Sequence, residues 1–280
     1  MSFRHVIMKK LQVIDVSEER ESNILKLILF MALMLLIVEM SYILPNLFSG
    51  EMRGLVGTLT FFATFIFMFI FIDRFAAWDG TTIEKLGIEF DNHTIRRIII
   101  GGIAGVAATV LITAIAYIFG GQLRPVEEIS GDLLMSEIII TAPTALFEEL
   151  AHRGYILPKM ERLAGKNQAI LISSFFFSCL HFTWWITPGV PLHLILIFIF
   201  NIFLGGVVLS LSYYWSNRNL WVPIAFHFAW NMIGYIMFPT YPRESVVMPE
   251  IFQFEWGLTT IVGFLFGLSL IYSLLQNKKK

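Results

Sequence analysis

Residues 55–72, 98–119 and 257–275 each run close to the length of a bilayer crossing without one charged side chain. A hydrocarbon layer of ~30 Å needs roughly 20 apolar residues of helix, because lipid cannot pair with open backbone N–H and C=O groups. Two further stretches are nearly as apolar: 24–44 carries only Lys26 and Glu39, and 193–214 only His193 and Asn201. Three more, 134–160, 168–184 and 220–239, are apolar but broken by polar residues. The reading is an all-α polytopic membrane protein of about eight transmembrane helices. Composition agrees, with 56% of the 280 residues hydrophobic and 15% charged, where soluble domains carry ~25% charged residues. That balance excludes a soluble single-core domain, a disordered chain and a secreted disulfide scaffold. A net charge of −1 leaves no footprint for nucleic acid, and a single cysteine, Cys179, excludes an intrachain disulfide or a cysteine-rich metal cluster.

The expected organisation is a cytoplasmic N-terminal segment over residues 1–23, one membrane domain over 24–275 and a basic cytoplasmic tail over 276–280. The first segment is too charged to be the apolar part of a signal peptide, so the first span is expected to be an uncleaved anchor. Eight spans place Arg53, Arg124 and Arg243 alone on one side and nearly all other basic residues opposite. Basic residues favour the cytoplasmic side, so both termini are expected there, at the plasma membrane if the cell is bacterial or archaeal.

Ionisable groups within spans are costly, and the default reading of them is functional. The three broken spans each hold a cluster: Glu148-Glu149-Leu150-Ala151-His152-Arg153, then Phe177 to His181, then His227 to Asn231. Helical spacing puts Glu149 with Arg153, Glu148 with His152, and His227 with Asn231 on shared faces. Each cluster alone has a plain structural reading: a surface ion pair, a packed core histidine, an interhelical hydrogen bond. Two acids, two histidines and an amide on these three spans argue instead for one polar catalytic pocket between helices. Glu39 and Glu137 sit near outer ends of spans, where they can reach water, and Asn201 reads as a helix-packing contact.

These residues resemble the CAAX protease and bacteriocin-processing (CPBP, or Abi) family of intramembrane proteases. The likeness rests on Glu148-Glu149-x-x-x-Arg153, Phe177-x-x-x-His181 and His227-x-x-x-Asn231, with a Gly-rich span and Pro-containing return helix over 203–231. It covers about residues 134–235, the expected protease core. His152 departs from the pattern, since the family commonly has an aromatic or aliphatic residue there. The resemblance implies hydrolysis of a peptide bond in a membrane-associated substrate: a prenylated CAAX-type protein, a bacteriocin or pheromone precursor, or a membrane signalling protein. Glu148 is then the general base for a water that His181 shares, His227 and Asn231 hold the oxyanion, and Glu149 with Arg153 forms a buried ion pair. The same atoms allow a zinc version in which Glu148, His181 and His227 are ligands and water takes the fourth position. No HExxH is present, and the sequence leaves the metal and metal-free versions open. Two other classes fit the polar residues: a non-catalytic regulator bound to a membrane partner such as a sensor kinase, and a small transporter with buried acids. The transporter class predicts internal repeats, of which the chain shows none.

Overall fold

The computed structural model describes residues 3–186, 189–241 and 246–276, with side chains from residue 21 onward except at 184 and 185. Arg4, Lys9, Lys10, Arg20, Arg243 and the tail Lys278–Lys280, which carry part of the expected orientation, lie outside the described side chains. Among the described residues all regular structure is helical. Helix α1 is Phe3–Ile43, α2 Gly50–Trp78, α3 Thr94–Phe119, α4 Gly131–Glu149, α5 Leu157–Ala164 and α6 Lys166–Cys179. The remainder are α7 Phe182–Trp185, α8 Leu192–Trp215, α9 Trp221–Met237, α10 Pro249–Phe252 and α11 Thr259–Gln276. A π-helix, Leu150–Ile156, joins α4 directly to α5.

Five stretches are long and apolar enough to cross a membrane: Glu21–Leu47, Gly50–Trp78, Thr94–Phe119, Leu192–Trp215 and Thr259–Gln276. The expected count of eight is not confirmed. The three broken spans are helical but differ from the rest for identifiable reasons. α6 has 14 residues and α9 has 17, so at about 1.5 Å per residue each falls short of a ~30 Å core. The third run changes pitch at its charged cluster, where α4 gives way to the π-helix.

Helix ends follow local chemistry. Ahead of α3, Asp91 accepts the His93 N–H at 2.8 Å and takes two 2.7 Å bonds from Arg97. The Arg97 hydrogen bonds, helped by the backbone bond from His93, hold the Asp91 carboxyl down to about 2. α3 stops at Gly120, whose φ of 81° is left-handed.

The bundle closes where small residues let backbones approach. A side chain at Gly101 would strike the Val222 carbonyl, and one at Gly105 the Phe226 carbonyl 2.6 Å away, so this pair four residues apart seats α3 on α9. Ala104, Ala108 and Ile112 continue the stripe and are fully buried. α9 is thereby sunk among its neighbours, with Val222, Phe226 and Trp230 in one apolar cluster alongside α3 and α11 residues. A second cluster joins α1, α2 and the π-helix through Phe30, Ile72, Tyr155 and Ile156. The polar pocket takes part of its wall from the first of these clusters, through Leu209, Phe226 and Trp230.

Candidate active site

The pocket begins with the end of α4. Ser130 caps that helix by accepting the Leu133 N–H at 3.1 Å, and the helix runs through Pro143 to the adjacent Glu148 and Glu149. All seven residues of the following π-helix are buried. Such π segments are rare and frequently sit at functional sites. Glu149 and Arg153 are both wholly buried and paired at 2.8 Å. The second Arg153 amino group donates to the Gly206 carbonyl at 3.0 Å, and the guanidinium carbon lies 4.5 Å from the centroid of the Phe177 ring. A Cβ at Gly206 would lie 2.8 Å from that of Ser174; glycine therefore brings α8 close enough to α6 for its carbonyl to meet Arg153.

Glu149 has a further partner that helical spacing could not indicate. Its Oε1 also receives Nδ1 of His227, at 3.0 Å. Since a carboxylate only accepts, Nδ1 carries the proton and Nε2 points the other way. There it faces Oε2 of Glu148 at 3.8 Å. The two consecutive glutamates thus grip one imidazole from opposite edges, Glu149 from the protein interior and Glu148 from the cavity side. Their side-chain exposures of 0% and 20% record the division.

Glu148, His181, His227 and Asn231 all line one cavity of about 380 Å³. The expected continuous helix over 168–184 breaks instead: α6 ends at Cys179 and His181 occupies the turn before α7. The turn leaves His181 Nδ1 3.1 Å from the Phe177 carbonyl. A carbonyl only accepts, so Nδ1 is again the protonated nitrogen and Nε2 keeps its lone pair. Phe177 is the hub of the ring packing, edge-on to His152, His181 and His227 with centroids 4.9, 5.4 and 6.2 Å away. Of the expected pairs, Glu149 with Arg153 meets directly. Glu148 and His152 do not pair: the π-helical pitch turns His152 toward Phe176 and Phe177.

Sequence reasoning missed several residues of the cavity wall. Tyr235 lines it one turn beyond Asn231, and the i, i+4, i+8 stripe from His227 was the available signal. Glu137, assigned above to a span end, also lines the cavity, as do Tyr42 and Thr144. Glu255 is the least expected. It lies ahead of α11 with a left-handed φ of 63°, and its carboxylate accepts the Tyr235 hydroxyl at 3.2 Å. Asn201, read above as helix packing, holds this loop by donating to the Glu255 and Gly257 carbonyls at 2.8 and 3.0 Å. A second chamber of about 270 Å³ between α1, α2 and α4 shares Tyr42, Ile140, Thr144 and Glu148 with the first, and is otherwise walled by side chains such as Phe61, Phe65 and Met68.

Among the described residues, no three His, Cys, Asp or Glu side chains are placed to hold one metal ion. Glu148 and His227 approach each other, but His181 does not complete a ligand set with them.

Residues 131–233 match the family model described as type II CAAX prenyl endopeptidase Rce1-like, which is the CPBP family. No curated protein and no solved structure matches the chain. The matched segment contains Glu148, Glu149, Arg153, His181, His227 and Asn231, while Glu255 lies beyond it.

Proposed function

We propose that the chain is an intramembrane endopeptidase that cleaves a membrane-associated protein or peptide with a water activated by Glu148. One observation carries this reading: a carboxylate, two imidazoles and a carboxamide, from three different helical runs, share a single cavity. The Glu148 carboxylate takes a proton from water while the Nε2 lone pair of His181 accepts the other O–H and aligns it. The resulting hydroxide adds to the scissile carbonyl carbon. The carbonyl oxygen becomes an oxyanion, for which His227 Nε2–H and the Asn231 amide are the donors. The proton held by Glu148 then passes to the amide nitrogen, the C–N bond breaks, and the amine leaves. A protonated His227 lies between two carboxylates in this scheme, and its Nδ1–H···Glu149 bond fixes the ring. Glu149 and Arg153 act through His227 and touch no reacting atom; they are positioning residues.

A divalent ion would have to draw on Glu148, His181 and His227, which the described geometry does not gather, so no step above passes through one. The chamber between α1, α2 and α4 suits an apolar chain on the substrate, since its walls are largely apolar and it meets the reactive cavity at Glu148. The polar end of the bundle holding residues 22–26 and 159–162 is assigned to the cytoplasm, following the distribution of basic residues.

The test is comparative peptidomics of cells carrying the wild type or Glu148→Gln, with metal analysis of both purified proteins. Glu148→Gln is expected to insert and melt like the wild type while processed peptides vanish. Processing at near wild-type levels by a correctly inserted Glu148→Gln protein would refute the assignment.

A further inference from the structure

At the end of the bundle remote from Glu255, a cleft of about 500 Å³ opens where the middle of α1, the end of α2 and α5 meet. It shares no lining residue with the catalytic cavity. Its walls carry four cations, Lys26, Lys85, Lys159 and Arg162, and one carboxylate, Asp79. Asp79 is taken up internally, by Lys159 at 2.7 Å and Lys26 at 3.4 Å. Burial alone would push its carboxyl up, but hydrogen bonds from Lys159 and others, with the charge of Lys159, hold it below the usual range, so it stays an anion there. Lys85 and Arg162 are exposed and have no ion-pair partner among the described residues. One fixed anion against four cations leaves a concave pocket with an excess of three positive charges.

The surroundings point to the bilayer as the source of the missing anion. Lys26 lies 4.8 Å from the centroid of the Trp78 ring, and Trp78 is itself exposed at the end of a span, the usual level of the headgroups. On either side of Lys26 along α1, Leu25, Ile28 and Leu29 are exposed apolar side chains on a membrane-crossing stretch. Acyl chains can therefore lie along α1 while a headgroup sits among the four cations. Basic pockets between helix ends bind anionic headgroups in this way.

We propose that this cleft is a binding site for a phosphate group, presented by an anionic phospholipid. The site also touches the catalytic machinery through the chain itself, since Gly154 and Tyr155 line it and directly follow Arg153. The inference does not depend on the protease reading, because it concerns binding alone.

The full-length protein in detergent, with phosphatidylglycerol or phosphatidylcholine added, reports bound lipid by native mass spectrometry, and its melting temperature is read with and without inorganic phosphate. Lys85→Ala/Arg162→Ala removes two cations that pair with nothing inside the protein, so folding is not at risk. Each cation near a headgroup contributes about fivefold in affinity (about 1 kcal/mol); the double variant should bind phosphatidylglycerol about 25-fold more weakly. Asp79→Asn should act in the opposite direction, tightening it about fivefold. Preferential retention of phosphatidylglycerol, lost in the double variant, supports the lipid source. Equal retention of both lipids, with phosphate raising the melting temperature of the wild type but not of the double variant, supports the same site filled from solution. Equal retention with no effect of phosphate, or a preference that the double variant keeps, overturns the proposal.

Discussion

Replacing Glu149 by Leu should unfold much of the protein, and replacing Arg153 by Met in the same chain should bring it back. Both side chains are wholly buried, and the 2.8 Å pair is the main neutralisation either has. Removing one partner of such a pair leaves an uncompensated buried charge, at a cost of ~3–5 kcal/mol. Against a total stability of ~5–15 kcal/mol, either single variant is severely weakened. Independent effects would sum to ~6–10 kcal/mol. The double variant holds no orphan charge. Its remaining loss is the His227 Nδ1–H left without a partner, about 1–3 kcal/mol, since the Gly206 carbonyl keeps the Ser210 hydroxyl at 2.8 Å. It should therefore be no less stable than either single variant, with a coupling energy of a few kcal/mol. Unfolding in mixed micelles of the four proteins measures that coupling. Cleavage should not return with stability, because His227 has lost the acceptor that orients its ring, and loss of an aimed donor costs ~10²–10³ in rate. A double variant that loses the full sum, or one that folds and cleaves at the wild-type rate, would refute the roles given to Glu149 and Arg153.

Asn231→Ala removes the second oxyanion donor and should lower kcat by ~10²–10³ while KM changes little, because the bond matters only in the transition state; an effect confined to KM would move Asn231 to substrate binding. Glu255→Gly relieves the left-handed backbone at φ 63° and should stabilise the protein by about 1 kcal/mol, seen as a rise in melting temperature of ~2 °C. The same change takes a carboxylate out of the cavity wall, so cleavage should fall as stability rises. A destabilised Glu255→Gly protein would show that the Tyr235–Glu255 bond outweighs the strain.

The helical class and the outer spans were legible in the sequence because charge-free stretches of that length admit one solution in lipid. The candidate site could be picked out as residue types in order, since Glu148, His181, His227 and Asn231 stand out against apolar neighbours, and they share one cavity. What could not be read was their partnership. The Glu149–His227 bond joins residues 78 apart, and no local periodicity reaches that far. The break at His181 lay hidden for a related reason: Phe177 to Phe182 has no Gly or Pro to announce an end, and the turn is held by the bond between His181 and the Phe177 carbonyl. Glu255 escaped because its approach to the cavity depends on a loop fixed by Asn201 from α8, a residue whose polar group had been assigned to packing.

The consecutive glutamates show why the change of helix pitch matters. On a helix, neighbouring residues point about 100° apart, so Glu148 and Glu149 cannot do the same work. Glu149 is turned into the interior, where Arg153 and His227 saturate one of its oxygens at 2.8 and 3.0 Å. Its other oxygen is buried, and with 0% side-chain exposure this carboxylate meets no solvent from the cavity. Glu148 is left at the cavity, 3.8 Å from the far nitrogen of the same imidazole, where a solvent molecule can reach it. The division of labour follows from register. Inserting one residue between Leu146 and Glu148 would rotate both side chains by a helical step, part Glu149 from His227 on α9 and remove the proposed base from the cavity, although every motif residue would still be present in order.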